Sequence, residues 1–124
     1  MKNNRSEAAI LIIDDEELIR ASLRLILEKQ GYEVKTAKDA LSGLELLHHH
    51  PFKAVLLDIR MPGKDGCIML KEIRQAFPEI RVILITGYGN HAVEDACRSH
   101  GAFNFLHKPV KIDELLQKIK QATH

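Results

Sequence analysis

A chain of 124 residues, 45% hydrophobic and 28% charged, has the make-up of one globular domain with a single core, which excludes a disordered or fibrous chain. Its net charge of +1 advertises no nucleic-acid surface, so no direct nucleic-acid binding is expected. No apolar run approaches the roughly 20 residues that span a bilayer, and the polar start MKNNRSE is not a signal peptide, so a cytoplasmic protein without membrane contact is expected.

Apolar runs of strand length alternate with helical patterns five times. AAILIID (8–14) is a short continuous run suited to a strand buried on both faces. It ends in four acids, Asp14 to Glu17, and a helix follows to Gln30 with Ile19, Leu23, Ile26 and Leu27 at helical spacing and Gly31 as its C′ residue. YEVKTA (32–37) alternates weakly, as an edge strand does. Asp39 caps a helix whose Ala40, Leu41, Leu44 and Leu47 form a stripe, stopped by Pro51. AVLLD (54–58) is the next buried strand, and IRMPGKDG is turn-rich.

The third helix runs from about Cys67 to Phe77 with Ile68, Leu70 and Ile73 as its apolar surface. RVILIT (81–86) is the fourth strand. A short helix with Val93, Ala96 and Cys97 follows and closes at Gly101, and FNFL (103–106) is the fifth strand. Ile112, Leu115, Leu116 and Ile119 give the last helix an i, i+3, i+4, i+7 stripe. Cys67 and Cys97 lack a CxxC spacing and a disulfide-rich context, so two reduced thiols are expected. Regular βα alternation over 1–124 implies one α/β domain, a parallel sheet with helices on both faces.

Ligands of such sheets gather outside the carboxyl ends of the strands, near the reversal of strand order. The first strand ends in Asp14 and Asp15, the third in Asp58, the fourth in Thr86 and the fifth in Lys108-Pro109. Two carboxylates 4 Å apart repel by ~1 kcal/mol in water and ~4 kcal/mol at an effective dielectric of 20. Three are tolerable only with a proton or a cation among them, and Mg²⁺ is a hard ion that takes carboxylate oxygens, waters and a phosphate. With Mg²⁺ bound, an Asp58 oxygen could attack phosphorus and form an acyl phosphate, while Lys108 and Thr86 meet phosphoryl oxygens.

The set Asp14-Asp15, Asp58 followed by IRMPGKDG, Thr86-Gly87 and Lys108-Pro109 resembles the receiver domain of two-component response regulators over essentially the whole chain. The resemblance implies a (βα)5 flavodoxin-like doubly wound sheet of strand order 2-1-3-4-5. It implies Mg²⁺-dependent phosphorylation of Asp58 by a sensor histidine kinase or histidine phosphotransfer protein. The metal would be held by Asp14, Asp15, Asp58 and the backbone carbonyl of Arg60; Thr86 and Lys108 would contact the phosphoryl group, and Pro109 would be cis. Phe105 would rotate inward as Thr86 moves toward the phosphate, reshaping the face of the fourth helix, fifth strand and fifth helix. That face would serve an output domain, a target protein or a homodimer. TGYGN and GAFNFLHKP faintly resemble receivers of sigma-54-dependent activators.

Simpler readings compete for single residues. Glu16 and Glu17 are read as a solvated helix start and Asp65 as turn chemistry. Arg60 and Tyr88 stand where the resemblance places residues that tune phosphoryl lifetime. His48, His49 and His50 cannot face one ion, since consecutive helical residues point about 100° apart. A haloacid-dehalogenase-type phosphohydrolase needs an acid two residues after its nucleophile, where Arg60 stands. A flavodoxin needs a phosphate loop in place of DDEE. A purely protein-binding module would lack part of the acid–Thr–Lys set. A non-enzymatic switch with self-catalysed phosphotransfer and slow autodephosphorylation is therefore expected.

Overall fold

The computed structural model describes residues 9–60, 66–87 and 91–124; Asp65 and Tyr88 lie outside them. Among the described residues, strands β1 (Ala9–Ile13), β2 (Glu33–Ala37), β3 (Ala54–Asp58), β4 (Arg81–Thr86) and β5 (Asn104–His107) alternate with helices. The helices are α1 (Glu17–Lys29), α2 (Ala40–His49), α3 (Gly66–Ala76), α4 (His91–Ser99) and α5 (Ile112–Ala122). The strands pair in parallel in the order β2-β1-β3-β4-β5. This is the doubly wound, flavodoxin-like arrangement expected from the sequence.

Because strand side chains alternate faces, each interior strand feeds two cores. Leu11, Ile13, Val55, Leu57, Val82 and Leu84 meet α2, α3 and α4 through Leu47, Met69, Leu70, Ile73 and Cys97. Ile10, Ile12, Leu56, Ile83 and Ile85 meet α1 and α5 through Leu23, Leu27, Leu115 and Ile119. Burial on both faces explains why β1 and β3 are continuous apolar runs, whereas edge strand β2 buries only Val34 and Ala37. Gly31 and Gly101 end α1 and α4 with φ of 97° and 98°, a region open to glycine without steric cost. Asp39 caps α2 by accepting from the Ser42 amide at 2.8 Å.

Four expectations from the sequence are corrected. Leu41 is 71% exposed, because it lies 100° round the helix from Ala40 while Leu44 and Leu47 stay close to Ala40's direction. Gly43 takes the inner position instead and brings α2 so near β1 that a Cβ there would stand 2.6 Å from Ile13 Cδ1. Ile68 is exposed for the same rotational reason, and Met69 is buried in its place. β5 begins one residue later than expected, leaving Phe103 partly exposed with the Arg81 guanidinium 5.1 Å from its ring centroid. Finally, Cys67 and Cys97 form a disulfide: α3 and α4 are neighbours on one face of the sheet and bring the two Cα atoms to 5.4 Å, a juxtaposition of tertiary origin that spacing does not reveal.

Candidate functional site: an acidic rim at the strand carboxyl ends

Asp14 immediately follows β1. Its amide donates to the Ala37 carbonyl at 3.1 Å, and its own carbonyl accepts from Arg20 Nη1 at 2.8 Å. Asp58 closes β3, with Oδ1 accepting from the Arg60 amide at 2.9 Å and Oδ2 from Lys108 Nζ at 3.3 Å. Lys108 follows β5, held by its amide to the Thr86 carbonyl at 2.8 Å, and its bond to Pro109 is cis. Asp14, Asp58 and Lys108 have the same strand parity as Ile12, Leu56 and Leu106, residues of the α1/α5 core. Alternation thus directs all three to one end of the same face.

Lys108 Nζ also donates to Glu16 Oε1 at 3.1 Å and lies 3.8 Å from Asp14 Oδ2. Glu16, expected to be only a solvated helix start, is therefore part of the rim. It is the N-cap of α1, and its amide donates to Asp14 Oδ1 at 2.8 Å, a tight turn that swings its side chain back toward the lysine. Glu17 is a first-turn acid of α1, as expected.

Asp14, Asp15, Glu16 and Asp58 each offer an oxygen, and these oxygens all lie within 4.8 Å of one another. Asp14 and Asp58 are buried, whereas Asp15 and Glu16 are open to solvent. Asp14 Oδ2 is buried with no hydrogen-bond partner among the described residues. Burial pushes the Asp14 carboxyl up to about 6; the Glu16 amide opposes this, Asp58 adds to it, and Lys108 opposes it again. Burial alone would lower the Lys108 ammonium, but the Glu16 hydrogen bond and the Asp58 and Asp14 charges raise it overall. One ammonium facing four carboxyl groups leaves an excess of negative charge and an orphaned acceptor. A hard divalent cation with oxygen ligands fits both features. Arg60 sits in the turn after β3, and its Nη1 lies 3.3 Å from where a Cβ on Gly87 would stand.

Thr86 belongs to the other face. It shares parity with Val82 and Leu84, is fully buried, and its hydroxyl donates to Glu94 Oε2 on α4 at 3.1 Å. His107, the register partner of Thr86 on β5, places Nε2 2.7 Å from the same Glu94 oxygen. The sequence does not single out Glu94 or His107, because an acid in a short amphipathic helix reads as surface. Phe105 is 4% exposed, beneath the Arg98 guanidinium 4.6 Å from its ring centroid. His48 of α2 packs edge-on against Phe77, and His50, the C-cap of α2, against Phe52.

A parallel 2-1-3-4-5 sheet with an acid cluster and a facing lysine at its carboxyl rim defines the class of CheY-like signalling domains. The family model described as "Response regulator receiver domain" matches residues 10–120, and the chain belongs to that family. It is 35% identical over 112 residues to the sporulation initiation phosphotransferase F of Bacillus subtilis, covering 90% of each chain. It is 35% identical over 115 residues to a putative NtrX-like response regulator of Rickettsia bellii, covering 91% of this chain but only 24% of that one, so it spans about a quarter of such relatives. Among solved structures, a CheY-like receiver domain protein from Methanospirillum hungatei superposes with a TM-score of 0.89 at 34% identity, covering 94% of this chain and 93% of that one. The receiver domain of NtrX from Brucella abortus gives 0.88 at 37%, covering 92% and 97%. Among the described residues, no helix is long and apolar enough to cross a membrane.

Proposed function

We propose that this domain is a phosphoacceptor switch that takes a phosphoryl group on Asp58 from a phosphohistidine of a sensor kinase or phosphotransfer protein. One observation carries the reading: Asp58 presents a carboxylate that is aligned at one oxygen by the Arg60 amide, faces an ammonium at the other, and stands beside the orphaned Asp14 Oδ2. In the transfer, an Asp58 oxygen forms a bond to phosphorus as the phosphorus–nitrogen bond breaks, and the histidine nitrogen leaves with the electron pair.

Mg²⁺ would be held by Asp14, Asp15 and Asp58, with the Arg60 carbonyl as the fourth protein ligand that the family resemblance supplies. When bound, it neutralises the charge of the incoming phosphoryl oxygens. Lys108 leaves Asp58 Oδ2 and pairs with a phosphoryl oxygen, an exchange of one anionic partner for a more highly charged one. Glu16 holds the lysine over the rim while this happens. The chain's chemistry ends with this transfer and the slow hydrolysis of its own acyl phosphate, so it is a switch and not an enzyme with a separate substrate.

The face formed by α4, β5 and α5 carries the state to an output domain, a target protein or a second copy of the chain. The Bacillus relative, matched over nearly its whole length, is named as a phosphotransferase, which supports a relay role. The NtrX-like relative, matched over about a quarter of its length, supports a regulator with further domains. Incubation with acetyl phosphate and Mg²⁺ followed by peptide mass spectrometry tests the assignment. Label should sit on Asp58 and vanish in Asp58→Asn or with EDTA; label elsewhere refutes it.

A further inference from the structure

We propose that Glu94 is a positioning residue: in the resting protein it holds the Thr86 hydroxyl away from the phosphoryl site, and this bond must break when Asp58 is phosphorylated. The inference rests on the phosphoacceptor reading and adds a residue to it. A threonine hydroxyl has one hydrogen to donate, so it serves either Glu94 or a phosphoryl oxygen. Here it serves Glu94 Oε2, at 3.1 Å and in a fully buried setting.

Three features make this a built arrangement. Thr86 and His107 are register partners on adjacent strands, so alternation aims both at the face covered by α4. Glu94 is 7% exposed although it is an acid on a short helix, and its Oε2 lies 2.7 Å from His107 Nε2 as well. In the tautomer with Nε2 protonated, His107 donates to that carboxylate oxygen alongside Thr86. After Thr86 departs, His107 still satisfies the oxygen, and no bare charge is left buried to oppose the change. The third feature is the Cys67–Cys97 disulfide, which ties α4 to α3 one helical turn beyond Glu94 and sets where the carboxylate stands.

A hydrogen bond to a charged acceptor that exists only in the resting state biases the equilibrium against the phosphorylated form by roughly tenfold. The test uses the full chain with Mg²⁺ and beryllofluoride, a tetrahedral phosphoryl mimic, measured by calorimetry. Glu94→Ala should bind beryllofluoride about tenfold more tightly than wild type, with Mg²⁺ affinity unchanged. Glu94→Gln keeps a neutral acceptor of the same shape and should gain about two- to threefold, and it carries the test should the alanine variant not fold. In a Thr86→Ala background, where no hydroxyl remains to release, Glu94→Ala should add nothing. Unchanged or weaker beryllofluoride binding by the folded Glu94 variants overturns the latch, as does an equal gain without the Thr86 hydroxyl or a parallel gain in Mg²⁺ affinity. A wild type that binds no beryllofluoride sinks the phosphoacceptor reading itself, and the latch with it; a binding wild type with indifferent Glu94 variants sinks the latch alone.

Discussion

A proton and a divalent cation compete for the same oxygens of Asp14, and burial has raised that carboxyl to about 6. Mg²⁺ affinity should therefore be constant above about pH 7 and fall as the pH drops through 6, which calorimetric titration across pH 5 to 8 would read. Stability of the metal-free protein follows the opposite sign. The folded-state value lies above the unfolded 3.8, so Asp14 binds its proton more tightly when folded; its stabilisation is full below about pH 4 and is lost as the pH rises through 6. Asp14→Asn should stabilise the metal-free protein at pH 7 by about 1–2 kcal/mol in urea denaturation and flatten that decline. A less stable Asn variant would mean the carboxylate is better satisfied than its orphaned Oδ2 indicates. Lys108 presents the complementary case. It sits on Asp58, Glu16 and Asp14 without being a metal ligand, so Lys108→Ala should keep at least wild-type Mg²⁺ affinity while losing tenfold or more in beryllofluoride affinity. Loss of Mg²⁺ binding instead would place the lysine in support of the metal site.

Between elements, the covalent link from α3 to α4 closes a loop of 30 residues in sequence separation. Constraining an unfolded chain over that span stabilises the fold by about 2–4 kcal/mol. Dithiothreitol should accordingly lower the melting temperature of the wild type and leave Cys67→Ser/Cys97→Ser unchanged, as followed by circular dichroism. Indifference of the wild type to reductant would contradict the link. Of these two helices, α4 carries Glu94, the partner of the Thr86 hydroxyl. The disulfide ties that helix to α3. Reduction is thus the natural companion measurement to any study of output from the α4 face.

At the scale of the whole molecule, the sheet and its rim were legible because both rest on short-range rules. Continuous apolar runs marked β1 and β3, glycines marked helix ends, and a parallel sheet then brought Asp14, Asp58 and Lys108 together, with strand parity aiming them. What escaped depends on side-chain direction and tertiary neighbours. Thr86 stands at a strand end like Asp58, but its parity turns it toward α4, and only a partner eight residues later in an exposed-looking helix explains its hydroxyl. Glu16 was hidden by its neighbours' acidity, since its role comes from a lysine 92 residues away. Cys67 and Cys97 meet through helix packing that no motif encodes. All these local features serve one claim, that a crowded acidic rim is made bearable by a divalent ion so that Asp58 can accept a phosphoryl group. The most direct measurement is mass spectrometry of the intact chain after acetyl phosphate with and without Mg²⁺. A single phosphoryl group that maps to Asp58 and requires the metal is the outcome expected here. Labelling that survives EDTA or Asp58→Asn, or no labelling by any phosphodonor, would contradict it.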